Sequence, residues 1–170
     1  MSSRKLVVVV ALLVAVAGAW YAFRPERLFI NQKVNEQFPS ASAASMEPMK
    51  LASGVFHSGA HETKGTAAVF QIDGKRTLRL TDFATSNGPD VRVYLVAAAD
   101  AKDNDAVKNA GFVELGSLKG NIGDQNYDVP ANVDLNKYRA VTIWCARFGV
   151  NFGTAPLMNS NMSGMQSMNF

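Results

Sequence analysis

Residues 6–23 form an apolar run broken by nothing more polar than Gly18. At the helical rise, eighteen residues extend about 27 Å, close to the hydrocarbon thickness of a bilayer. Arg4 and Lys5 precede the run, and Trp20 and Tyr21 stand near its end, where an interfacial aromatic belt belongs. These features predict a single-pass anchor with its N terminus in the cytoplasm. Ala15-Val16-Ala17 and Ala17-Gly18-Ala19 also fit the small-x-small pattern of a cleaved signal peptide. The run passes both triplets and reaches spanning length, which favours the anchor, while Arg24 and Arg27 on the far side weaken the orientation. Either reading exports the rest of the chain to the extracytoplasmic side.

The remaining residues are organised by turns. Residues 24–50 read as a stalk, with 40–45 small and without anything to bury, as in a flexible linker. From 51 to 157 short strand patterns alternate with turn signals. Asp73-Gly74 marks a hairpin, Asn87-Gly88-Pro89 a second turn, and 138–146 is the most strand-like stretch. Residues 100–111 are polar and suit a loop with a helical turn. With no long helical period, this predicts an all-β fold, an antiparallel sandwich or barrel, behind one N-terminal transmembrane helix. Residues 158–170 are built from Met, Asn, Ser, Gly and Gln and read as a disordered tail.

Charge excludes one class of partner. The net charge of +3 comes entirely from the residues before Ser40, because from there onward Lys plus Arg and Asp plus Glu number 12 each. A neutral domain has no field to attract a phosphate backbone, so nucleic acid is not an expected partner. Cys145 is the single cysteine, which excludes an intrachain disulfide, a zinc ribbon and covalent CxxCH haem attachment. No GxSxG elbow, phosphate-cradling loop or HExxH motif is present.

Three sets of residues have chemistry to offer. On an extended strand Val141, Ile143 and Cys145 share one face and Thr142, Trp144 and Ala146 the other. Cys145 is then either a small core residue or a redox thiol exposed at the strand end, with Arg147 close enough to activate it. His57 and His61 lie four apart, but Gly54 and Gly59 argue for strand and turn, so no helical metal site follows. His57, on a strand with Val55, is the inward-pointing one and His61 the solvated one. Together with Cys145, a histidine would supply a donor set for haem iron or copper. A blue-copper arrangement is excluded, since no histidine follows Cys145. Met158, Met162, Met165 and Met168 offer soft thioether ligands for Cu(I), against the plain alternative of a Met-rich low-complexity tail.

Six segments carry a resemblance. They are Gly-Val-Phe-His at 54–57, Leu-Arg-Leu-Thr-Asp-Phe at 78–83, Gly-Pro-Asp-Val-Arg-Val-Tyr-Leu at 88–95, Leu-Gly-Ser-Leu-Lys-Gly at 115–120, Gln-Asn-Tyr-Asp-Val-Pro at 125–130 and Val-Thr-Ile-Trp-Cys-Ala-Arg-Phe at 141–148. In content and order the stretch 54–157 that holds them, about two-thirds of the chain, resembles the DM-thirteen domain family, for which electron transfer is proposed. The resemblance implies a β-rich extracytoplasmic domain with a hallmark cysteine, matched by Cys145, acting as a bare thiol or through a prosthetic group such as haem. It further implies a separate electron partner such as a cytochrome. The alternative class is a non-enzymatic binding or adhesion module of the cell envelope, with residues 116–128 as its ligand surface.

Overall fold

Two residues with left-handed backbone, Asp73 (φ 49°) and Gly74 (φ 76°), close the hairpin that the Asp-Gly pair predicts. A two-residue turn with both φ values positive matches the twist of its strands, and Ile72 faces Lys75 across it. The computed structural model describes residues 3–23, 30–39 and 47–160. Helix α1 (Ser3–Phe23) is long and apolar enough to cross a membrane. The strands are β1 (Met49–Val55), β2 (His57–Ser58), β3 (Lys64–Ile72), β4 (Lys75–Ala84) and β5 (Val91–Val96). Helix α2 (Asn104–Ala110) follows, then β6 (Phe112–Ser117), β7 (Gln125–Val129), β8 (Ala140–Cys145), β9 (Val150–Pro156) and β10 (Met158–Asn159).

The strands make two five-stranded antiparallel sheets, sheet A in the order β10-β1-β3-β4-β7 and sheet B in the order β2-β9-β8-β5-β6. Of the sandwich or barrel that the turn spacing predicts, the fold is the two-sheet sandwich. Period-2 patterning directs Val69, Leu78 and Leu80 of sheet A inward to meet Val93, Leu95, Val141 and Ile143 of sheet B in one core. Truncating one of the large members to alanine would cost about 2–5 kcal/mol.

Strand β8 has lost the alternation, since all six of its residues are buried. Its inward face joins the main core. Its outward face lies under α2, where Tyr94, Val96, Ala101, Val107 and Trp144 form a second cluster. Helix α2 accounts for the expected helical turn. Asp103 caps it by accepting the Ala106 N–H at 2.7 Å, and Gly111 ends it at φ 80°.

The stalk departs from expectation. Residues 30–39 are docked along sheet A. The Val34 and Glu36 N–H groups donate to the Ile122 and Asp124 carbonyls, each at 2.9 Å. Glu36 reaches Lys119 Nζ at 2.8 Å and receives the Asn126 N–H at 2.8 Å, and Phe38 stacks edge-on against Phe70 at 4.9 Å. Polar stretches flanking an apolar leader look like linkers in sequence because their partners, here 119–126, lie some ninety positions away. The expected flexible part, 40–45, lies outside the described residues. Met158 and Asn159, read as the start of the tail, pair with Ser53 and Ala52 as an edge strand.

Candidate functional site

Cys145 occupies the face that strand alternation assigns it, and that face is the core. It is the last residue of β8, opposite Val91 on one side and Val150 on the other. Its residue is 0% exposed and packs in the cluster that holds Val141 and Ile143. Exposure at a strand end, which the redox-thiol reading requires, is therefore not what the fold provides. The chain continues past Cys145 into the turn 146–149, whose Gly149 N–H donates back to the Cys145 carbonyl at 2.8 Å. Arg147 is exposed on that turn, whereas the sulfur faces inward.

His57 lies on the other side of sheet B. The chain crosses from sheet A to sheet B through Phe56, which is the inward residue, so His57 pairs with Thr154 on the outer face. Thr154 in turn faces Thr142, with their hydroxyls 3.0 Å apart. His57 and Cys145 are thus separated by two strand spacings across, three residues along and the thickness of the sheet, about 14 Å in the sheet plane alone. The structure does not bring the expected Cys/His donor pair together.

His57 is held instead by a carboxylate, with Nε2 2.8 Å from Asp100 Oδ1. Asp100 is positioned by a buried polar network that sequence reading did not find. Asn151 Nδ2 and Thr154 Oγ1 donate to the Ala101 carbonyl at 2.7 and 2.9 Å, and the Asn151 N–H donates to Asn104 Oδ1 at 2.7 Å. Buried amides and hydroxyls need such partners, and these fix the 100–104 loop onto β9. The only sequence signal was an Asn and a Thr inside an otherwise apolar strand. His61, expected in solvent, is half-buried against the Phe152 ring at 4.0 Å between centroids.

The outer face of sheet A carries a groove of about 620 Å³. Outward residues of β1, β3 and β4 form its floor, including Ser53, Ala68, Phe70 and Thr81. Phe38 of the docked segment walls one side, and Val55, Pro156 and Met158 wall the other. His57 stands at its rim, as do Lys50 and Arg79. Arg79 is committed to Asp124, to Asn126 Oδ1 at 3.0 Å and to the Glu36 carbonyl at 2.9 Å. The groove is not apparent in the sequence because Phe38 and Met158, two of its walls, sit in segments that read as linker and tail.

The expected ligand surface at 116–128 is largely taken by the chain itself. Gln125, fully buried, donates to the Gly120 carbonyl at 2.9 Å and accepts the Tyr127 hydroxyl at 2.7 Å. Burial pushes the Tyr127 phenol far above its ordinary value, so it stays a donor. The loop so held receives residues 32–36. A Cβ on Gly123, whose φ is 101°, would overlap the Val34 carbonyl oxygen.

Metal chemistry finds no arranged donors. Among the described residues no group of three or more His, Cys, Asp or Glu side chains converges on one point. Both His57 nitrogens already face oxygen, Nε2 at Asp100 and Nδ1 3.4 Å from the Ser58 carbonyl. The groove has an apolar lining, and of its side chains able to ligate haem iron, His57 is already held by Asp100. Met158 is an exposed edge-strand residue, while Met162, Met165 and Met168 lie outside the described residues.

No curated protein and no solved structure matches the chain. A family does: residues 55–157, more than half of the 170, match the family described as Electron transfer DM13, and the protein belongs to it.

Proposed function

We propose that the chain is a membrane-tethered, extracytoplasmic electron-transfer domain whose redox group is a planar apolar ring system with one polar or anionic edge, held in the groove on sheet A. One observation carries this reading: the groove offers aromatic and aliphatic walls at ligand-sized volume, whereas Cys145 has no exposed surface at all. A thiol needs access and a thiolate-favouring environment to exchange electrons with a partner. Cys145 lacks that access in the folded state and packs as a core residue.

The groove's own residues account for binding. Phe38 and Phe70 meet at 80°, so a flat ring placed between the walls finds one face and one edge. Lys50 supplies a cation at the rim for a carboxylate or carbonyl oxygen. Haem and a benzoquinone share this chemistry. When bound, either would supply the electron-carrying centre, and a separate protein such as a cytochrome would exchange electrons with it. The Electron transfer DM13 family supports a role of this kind.

The test uses the full-length chain in lipid vesicles, titrated separately with haem and with a short-chain benzoquinone. Saturable binding of one of them, lost in Ala68→Trp and retained in Cys145→Ala, supports the reading and says which ring is used. Loss in Cys145→Ala with the native fold retained, and retention in Ala68→Trp, would return the redox centre to the cysteine. Binding of neither removes the groove from the account. The family's electron-transfer role would then need another site, and the adhesion-module alternative gains.

A further inference from the structure

The tether between membrane and domain is far shorter than the sequence implies, and this orients the domain. The argument rests on the reading of α1 as an uncleaved anchor. Residues 24–50 read as a stalk, but 30–39 are part of the sandwich. Asn31 Oδ1 receives both the Asn87 and Asn121 side-chain amides at 3.0 Å. The Gln32 N–H donates to Asn121 Oδ1 at 2.7 Å. From there the segment is pinned at Val34, Glu36 and Phe38, as described above. It starts beside Asn87 and Asn121 and ends with Pro39 beside Asp73, so it runs towards the hairpin-turn end of sheet A.

Only residues 24–29 then separate the helix from the docked segment. From Phe23 to Ile30 a fully extended chain covers at most about 25 Å. The opposite end of sheet A, at the Asp73-Gly74 turn, lies a further length of β4 away, about 33 Å for ten residues. The end holding Ile30 is therefore confined near the bilayer, while the turn end has no such restraint.

We propose that the surface around Ile30, formed by residues 86–90 and 117–121, faces and contacts the lipid headgroup layer. Its chemistry suits that partner. Ile30 is 64% exposed, an apolar side chain that the domain leaves largely uncovered. Gln32, Ser86, Asn87 and Ser117 around it are uncharged amides and hydroxyls, which meet headgroup oxygens without charge repulsion. The carboxylate of the set, Asp90, is neutralised by Arg92, with Nε 2.9 Å from its Oδ1.

Energy transfer from a single fluorophore to acceptors on lipid headgroups tests this in vesicles that carry the full-length chain. The label goes on Ser117→Cys or on Lys75→Cys, each in a Cys145→Ala background. Transfer from position 117 should exceed that from position 75 by roughly two-fold or more, given the tether and strand lengths. A twenty-residue Gly-Ser insertion between residues 29 and 30 should erase the contrast. Equal transfer from the two positions without the insertion, or stronger transfer from 75, overturns the proposed surface. Release of the chain from vesicles by alkaline carbonate overturns the anchor itself, an outcome separate from the labelling ratio.

Discussion

Cys145 and Val91 face each other across β8 and β5 on the inward side of sheet B, and together they close the core where β5 begins. That pairing packs the sulfur as a small hydrophobic group in the core. A thiol-specific reagent should leave the native protein unmodified and react stoichiometrically once denaturant unfolds it. Fast labelling of the native state would show that the strand end opens.

The same environment ranks substitutions at this position. Cys145→Ala removes one buried sulfur and should cost about 1 kcal/mol. Cys145→Ser is nearly isosteric but buries a hydroxyl without a partner and should cost about 1–3 kcal/mol. Urea unfolding measures both. Serine tolerated better than alanine would mean that the core holds a polar partner for this atom.

Docking of residues 30–39 depends on a glycine that no side chain can replace. At φ 101° and against the Val34 carbonyl, Gly123→Ala adds backbone strain to a steric overlap. The variant should release the segment while the sandwich stays folded. Amide exchange at Val34 and Glu36 would then speed up, with the core amides of β8 unchanged. Because Phe38 leaves with the segment, ligand binding in the groove should weaken in parallel.

Glu36 makes that docking pH-dependent. Burial raises its pKa, but the Lys119 hydrogen bond, the Asn126 N–H and the Lys119 and Arg79 charges outweigh it, so the net shift is below the ordinary 4.5. A carboxylate with a lowered folded pKa contributes stability that is complete above its unfolded pKa and is lost as pH falls through the folded one. The stability difference between wild type and Glu36→Gln should therefore be constant above about pH 5.5 and shrink below about pH 4.5. A difference that grew on acidification would contradict the assignment.

The sandwich was legible because its signals are local. Asp73-Gly74 fixes a turn, Val91, Val93 and Leu95 alternate within six residues, and the apolar run at 6–23 needs no partner to be read. The face assignment of Val141, Ile143 and Cys145 held for the same reason. What it meant for the sulfur did not follow, because strand alternation gives a side and not a depth. The layer over β8 comes from α2 and the 97–103 loop, which look merely polar in sequence. The groove depends on Phe38, Phe70 and Met158 meeting from segments up to 120 positions apart. His57 was found by residue type, but its partner Asp100 was reachable only through the Asn151 and Thr154 network.

A planar redox ring should bind the face of sheet A independently of the cysteine. The deciding measurement is the dissociation constant of haem or a benzoquinone for wild type, Cys145→Ala and Ala68→Trp in vesicles. Affinity should be unchanged in Cys145→Ala and fall at least tenfold, about 1.4 kcal/mol, in Ala68→Trp. The reverse pattern, with affinity following the sulfur and indifferent to the filled groove, would contradict binding on sheet A.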